Sequence, residues 1–334
     1  MKKDAPSLIA DIGGTNARFA LVDSPDALPY EPKTLPCADY VTLADAAEAY
    51  LDQVGGPRPK TAAISIATPV TGDQLKMTNH VWTPSIRQTR ESLGLTSLRI
   101  INDYTALALS LPHLTDDDYQ QVGGEQSPQG QIMAVLGPGT GLGVSGVIQV
   151  GKHWAPLQGE GGHVSYGPID KHEAGIIEII RKKYDHVSAE RLVSGPGLSL
   201  LYQSIAEFHC FQAQALEPKD ITAMAIEKKS PAAIEAVAMF CAILGTVAGN
   251  LALTLGARAG IFIGGGIIPQ LGEYFHNSPF RSRFENHGRL GQYLEKIPTY
   301  VIRSKYPTLC GAAVALGRDY INLGFTSDES LDAR

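Results

Sequence analysis

The chain has 334 residues, of which 44% are hydrophobic and 19% charged, with 35 Gly and 21 Pro. That composition excludes a disordered, collagen-like or coiled-coil protein, and the length predicts about two domains. The 28 Lys and Arg against 34 Asp and Glu leave a net charge of −6 without a long basic run, which argues against a nucleic-acid surface.

Strand-like and helix-like stretches alternate along the chain, the pattern of an α/β protein. At the N-terminus Lys2-Lys3 is followed at once by Asp4, and the next apolar run stops at Asp11. A secretory core would be longer and free of acid, so the expected location is cytoplasmic. Ser7 to Ile12 reads as a strand, Gly13 to Asn16 as a tight turn and Ala17 to Val22 as a second strand. Leu43 to Leu51 reads as a helix, and Ala62 to Ala67 and Leu98 to Ile101 as short buried strands. The second of these ends at Asn102-Asp103, before a helix-like stretch from Thr105 to Leu111. Thr115 to Gly130 is polar and reads as a linker.

A second cycle then opens with a strand at Ile132 to Leu136, a Gly-rich turn at Gly137 to Gly143 and a strand at Val144 to Val150. Helices are expected at Glu173 to Tyr184, Gly197 to Phe208, Pro218 to Lys229 and Pro231 to Leu255. Ile261 to Ile263 is a short strand meeting Gly264-Gly265-Gly266; Pro298 to Arg303 is a late strand and Gly311 to Ile321 a last helix. Both "LIADIGGTNARFALV" and "MAVLGPGTGLGVSGVIQV" run strand, Gly/Thr turn, strand, which suggests an internal duplication with one phosphate-grasping hairpin in each half.

Ala236 to Ala257 has no charge over 22 residues and carries Gly245 and Gly249 in a G-x-x-x-G spacing, so its length would span a bilayer. Only nine of the 22 are Val, Leu, Ile, Met or Phe, and a buried helix is the expectation. The same stretch and the last helix serve equally well as core or as the surface of a homodimer. The four cysteines (Cys37, Cys210, Cys241, Cys310) are scattered without a C-x-x-C, which predicts neither a disulfide framework nor a zinc site.

The Gly-rich turns carry the chemistry, because backbone N–H groups converge on a phosphate where no Cβ blocks the approach. Asp11 ends the first strand beside such a turn, where a carboxylate can hold Mg²⁺ through its waters. Two other matches fail in context. Gly141, Gly143 and Gly146 satisfy G-x-G-x-x-G, with Glu160 at dinucleotide spacing, but a strand follows where that fingerprint must open a helix. Gly146-x₄-Gly151-Lys152 resembles a P-loop, yet His153 stands where Ser or Thr must ligate Mg²⁺. Asn102-Asp103, Glu160 with His163, and Glu190 form three polar clusters; carboxylates, amides and imidazole together suit sugar hydroxyls, which both donate and accept.

The strings "DIGGTNARFALV", "MTNHVW", "INDYTALA", "GPGTGLGV", "GEGGHVSYGP", "HVSAERLVSGPGL" and "FIGGGIIP", in this order, resemble the bacterial glucokinase family of the hexokinase/actin-like ATPase superfamily over residues 8 to 318. The resemblance implies a two-lobed actin-like (ribonuclease H-like) α/β fold with an interdomain cleft. Residues 1–112 and 308–334 would form a smaller domain and 113–307 a larger one. It implies ATP, Mg²⁺ and D-glucose as ligands, with no nucleic-acid or membrane partner. Asp11 would organise Mg²⁺, and Ala10, Asp11, Ile12, Gly13, Gly14 and Thr15 would meet the nucleotide phosphates. Gly139, Thr140 and Gly141 would form the second phosphate hairpin, and Gly264, Gly265 and Gly266 would lie beside the adenosine. Asn102, Asp103, Glu160, His163 and Glu190 would bind glucose, with Asp103 as catalytic base. Departures are Tyr104, where Phe is expected, and Pro138, which removes one N–H donor beside the phosphate turn. The sister group of repressor-type sugar kinases carries a Cys/His zinc motif after its GEGGH-like loop, which is missing here, and no helix-turn-helix segment precedes Asp11. A kinase for another hexose, or a non-enzymatic actin-like sugar- or nucleotide-binding protein, stays open on the sequence.

Overall fold

The computed structural model describes residues 5–77, 82–126 and 130–317. The chain is an α/β protein with two mixed sheets. It divides into two units, one holding the residues up to Thr115 with Gly146–Gln158 and those from Ser304 on, the other Asp116–Ser145 with Gly159–Arg303.

In the first unit, β1 (Ser7–Ile12), β2 (Asn16–Val22), β3 (Tyr30–Pro36), β4 (Thr61–Ile66) and β5 (Ser97–Asn102) form a sheet in the order β3-β2-β1-β4-β5. β1 is antiparallel to β2, and β1, β4 and β5 run parallel. Leu8, Ile9 and Ala10 are all fully buried, because helices cover both faces of the parallel part. α1 (Leu43–Val54) opens on a capping box in which Thr42 and Asp45 satisfy each other's backbone N–H. It buries Leu43, Ala46, Ala47, Tyr50 and Leu51 as one stripe, with the Tyr50 ring stacked on Phe19 at 5.4 Å. α2 (Ile86–Ser92) follows, and α3 (Asp103–Ser110) packs against the last described helix, Pro307–Val314. A Cβ at Gly311 would run into the Ala106 carbonyl, so glycine sets that crossing distance. The register Ile12↔Ile66↔Asn102 ends the three parallel strands level with one another, which delivers their C-terminal residues to one edge.

The second sheet has the order β6-β11-β10-β7-β8-β9, from β6 (Tyr119–Gln121), β7 (Ile132–Pro138), β8 (Leu142–Val150), β9 (His153–Gln158), β10 (Gly260–Ile263) and β11 (Thr299–Ile302). Read from β9, the order 9-8-7-10-11 repeats 3-2-1-4-5 of the first sheet, which supports the duplication suggested by the two Gly-rich turns. The expected linker is in part a strand: β6 pairs antiparallel with β11, and its Tyr119 ring packs on Tyr300 and Phe262. Helices α4 (Lys171–Arg181), α5 (Ala189–Leu192), α6 (Gly195–Phe208), α7 (Pro218–Ile226) and α8 (Pro231–Leu255) complete the main layer.

α8 is long and apolar enough to cross a membrane by length and composition, but it is the centre of a core. It packs on α6, α7 and the short helix Phe280–Glu285. A Cβ at Gly245 would strike the Phe280 carbonyl, and one at Gly249 would lie 2.8 Å from the Phe284 carbonyl oxygen. The G-x-x-x-G spacing therefore serves close helix packing inside this unit, where most of the stretch is buried. The last helix spans Pro307–Val314, while residues expected in it beyond 317, and 78–81 of "MTNHVW", lie outside the described residues.

Candidate active site

In the first unit the candidate residues lie at the ends of β1 and β5. Asp11 stands opposite Arg18 across the β1–β2 hairpin, and Arg18 Nη1 donates to its Oδ2 at 3.0 Å while Ser65 Oγ donates to its Oδ1 at 3.2 Å. Burial nevertheless holds the Asp11 carboxyl above its ordinary value, outweighing the charge and hydrogen bond of Arg18. The turn after it is closed by Gly13 N–H donating to the Asn16 carbonyl at 3.0 Å, and Cys37 N–H fastens it by donating to the Thr15 carbonyl at 2.9 Å. Gly14 and Thr15 are exposed on that turn.

Asn102 ends β5 and caps α3. Its Oδ1 accepts from the Tyr104 N–H at 2.9 Å and the Thr105 N–H at 3.3 Å, and its Nδ2 donates to the Thr68 carbonyl at 3.4 Å. Asp103 is the first residue of the helix, so its carboxylate is set by the end of a strand and the first turn of a helix together. The Asp103 carboxyl is pushed up to about 7, first by burial and then by the negative charge of Asp11. An acid near neutrality at a strand's C-terminal end has the properties of a general base.

In the second unit the candidate residues lie on a turn, a loop and a short helix. Gly139 N–H donates to the Gly141 carbonyl at 2.8 Å, which closes the turn between β7 and β8, and Gly195 N–H at the start of α6 donates to the Gly139 carbonyl at 2.8 Å. Glu190, on α5, reaches the same turn: Leu142 N–H donates to its Oε2 at 2.9 Å, and a Cβ at Gly141 would collide with that oxygen. His163 Nδ1 lies 3.7 Å from Glu190 Oε1, and Glu160 is exposed at the start of the 3₁₀ turn Gly161–His163. That loop lies flat on β8, since a Cβ at Gly162 would strike the Leu142 carbonyl and one at Gly161 would sit 2.9 Å from Val144 Cγ1. After β10, Gly264 N–H donates to the Leu136 carbonyl at 2.9 Å, and Gly265, at φ +80°, packs where a Cβ would hit the Pro138 carbonyl. Pro138 itself is buried and ends β7.

The structure thus brings Gly139 to Gly141, Glu190, His163 and Gly264 to Gly266 together in the second unit. Asp11, its Gly-Thr turn, Asn102 and Asp103 share one sheet edge in the first. The residue that caps α3 is Asn102, one position before Asp103. Sequence reasoning missed Arg18 and Ser65, which hold Asp11, and the Leu142 amide, which holds Glu190. Arg18 was legible in principle, because a hairpin closed at Gly13 to Asn16 sets it opposite Asp11.

Comparison with known proteins agrees with these strings. A family model described as Glucokinase matches residues 8–319. The chain is 49% identical over 320 residues to a glucokinase of Neisseria gonorrhoeae, covering 96% of this chain and 97% of that one. It is 50% identical over 312 residues to a glucokinase of Aromatoleum aromaticum, covering 93% and 94%. Among solved structures it is similar to a glucokinase from an Antarctic psychrotroph, with a TM-score of 0.84, 33% identity and coverage of 93% and 98%.

Proposed function

The chain belongs to the glucokinase family, and we propose that Asp103 is the general base with which it works. It is an ATP-dependent kinase that phosphorylates D-glucose at the 6-hydroxyl, giving glucose 6-phosphate and ADP, the first step of glycolysis. The bond from the γ-phosphorus to the bridging oxygen breaks, a bond from the glucose 6-oxygen to phosphorus forms, and the hydroxyl proton passes to Asp103. Positioning and electrostatics dominate such a transfer, because the loose transition state asks for little covalent help.

The observation that carries this reading is the Asp103 carboxyl held at about 7 at the start of α3. A base near the working pH combines a useful fraction of the ionised form with enough basicity to accept a proton. Asn102 fixes the first turn of that helix and so fixes Asp103. Glu160, His163 and Glu190 hold the remaining sugar hydroxyls, and the Leu142 amide orients Glu190 for that task. Gly13 to Thr15 and Gly139 to Gly141 offer backbone N–H groups to the phosphates, with Gly264 to Gly266 beside the adenosine.

The donor chemistry at Asp11 fits Mg²⁺: a hard carboxylate oxygen at the mouth of a phosphate turn, oriented by Arg18 and Ser65. The ion would supply charge neutralisation of the triphosphate. We take the two units as the lobes of an actin-like ATPase fold and the cytoplasm as the place where the protein works.

A panel of hexoses with Mg-ATP in a coupled ADP-release assay tests the substrate, and Asp103→Asn tests the base. The expected result is glucose turnover in the native protein and a loss of about 10² to 10⁴ in kcat for the variant, with glucose binding retained. Native-like turnover in Asp103→Asn would remove Asp103 from the role.

A further inference from the structure

Three side chains from three helices of the second unit meet at its surface, none of them given a role above. His172 stands in the first turn of α4, His209 follows the last residue of α6, and Glu235 lies in the second turn of α8. His172 Nε2 lies 2.7 Å from Glu235 Oε1, and His209 Nε2 lies 3.0 Å from Oε2 and 3.3 Å from Oε1. The ligand atoms of all three residues fall within 4.8 Å of one another.

The rings are held there by packing. The Phe208 ring meets His172 edge-on at 5.2 Å, and Phe211 stacks on His209 at 5.8 Å. Phe208 can lie against α4 only because residue 175 is glycine, where a Cβ would come within 2.5 Å of its ring. Both imidazoles therefore aim the same nitrogen at one carboxylate, on helices whose mutual packing (α4 on α6, α6 on α8) fixes their backbones.

A tetrahedral metal bound at roughly 2.0–2.1 Å to nitrogen and oxygen needs donors about 3.3 Å apart. The separations between imidazole and carboxylate, 2.7–3.3 Å, are already near that size, so small side-chain rotations admit an ion with no movement of the helices. Two imidazoles and one carboxylate select borderline dications over Mg²⁺, which prefers oxygen alone. We propose that His172, His209 and Glu235 form a binding site for a transition-metal dication, Zn²⁺ by preference, with water in the remaining position, which ties α4, α6 and α8 together. The site uses no cysteine, and its ligands lie 26 and 63 residues apart from Glu235, so no ligand-spacing motif announces it in the sequence.

The test uses metal-stripped full-length protein in excess Mg²⁺ without nucleotide or sugar, titrated with Co²⁺ and read by its visible d–d bands. One equivalent is expected to bind, to be displaced by Zn²⁺, and to weaken in His172→Ala and His209→Ala by more than the roughly 10-fold that even outer-shell changes cost. Zn²⁺ should raise the melting temperature of the native protein by several degrees and leave that of His209→Ala unmoved. Glucose phosphorylation in chelator-treated, Mg²⁺-replete buffer should be the same in all these proteins. Cys210, exposed beside His209, is the rival ligand; Cys210→Ser should keep the bands. The site is overturned if Cys210→Ser abolishes them, if the histidine variants bind Co²⁺ as the native chain does, or if no metal binds below millimolar concentration.

Discussion

Leu142 donates its backbone N–H to the Glu190 carboxylate at 2.9 Å, across 48 residues of sequence. One side chain therefore joins the Gly139–Gly141 turn between β7 and β8 to the loop that holds His163. The approach depends on Gly141, whose missing Cβ leaves the space for Glu190 Oε2.

Gly141→Ala should expel that carboxylate. The KM values for ATP and for glucose are expected to rise together, each by about tenfold, the loss of one charge-assisted hydrogen bond. Gly167→Ala, where a Cβ meets nothing within 4 Å, should leave both unchanged. Steady-state kinetics with each substrate varied in turn decides it; a rise for one substrate alone would unlink the two halves of this contact.

The Asp103 carboxyl, raised from 3.8 to about 7, has two consequences of opposite sign. It accepts a proton only when ionised, so kcat/KM, which follows the free enzyme, should fall about tenfold per pH unit below 7 and level off above it. For stability, an acid with a raised folded value binds protons more readily folded than unfolded. Its contribution is therefore fully present at low pH and is lost as pH rises from 3.8 through 7. Asp103→Asn should accordingly melt higher than the native protein at pH 8 while turning over far more slowly. Thermal melts at pH 5 and 8 check this, the difference between the two proteins shrinking at the lower pH.

Arg283 donates to Glu173 at 2.6 Å, to Thr246 at 3.0 Å and to the Tyr166 hydroxyl at 3.3 Å, while Tyr166 donates to the other Glu173 oxygen at 3.0 Å. Glu173 is 3% exposed, so Arg283→Met leaves a buried carboxylate without its cation. The expected cost is about 3–5 kcal/mol in chemical denaturation, and the double change Arg283→Met with Glu173→Met should recover most of it. Because Tyr166 follows the loop with Glu160 and His163, the single variant should also raise the glucose KM. An unaltered KM in a destabilised protein would confine this network to stability.

Gly311→Ala drives a methyl group into the Ala106 carbonyl of α3. Overpacking of this kind costs about 1–3 kcal/mol. The loss should appear in denaturant midpoints, and kcat should fall with it, since α3 carries Asp103 at its start.

Much of this was written in the chain. Apolar runs marked β1, β4, β5, β7 and β10, and Gly-rich strings marked the turns that follow three of them. β3 escaped because it is an edge strand with two prolines, exposed along most of its length and burying only Leu35. β6 escaped because Tyr119-Gln120-Gln121 is too short to carry a periodic signal, and only its pairing with β11 makes it a strand. The candidate site divides in the same way. Asp11, Asn102 and Asp103 stand at strand ends that the pattern of residues marks. The grip of Leu142 on Glu190 and the meeting of His172, His209 and Glu235 arise from tertiary packing, which no local spacing encodes.

α8 also sets a condition on synthesis. α6 and α7 have left the ribosome before it and can shelter part of its surface, but Gly245 and Gly249 face a helix that ends at Glu285. Until those later residues emerge, a sticky membrane-length rod has one flank bare. The nascent chain at that stage is the form most open to aggregation or chaperone capture.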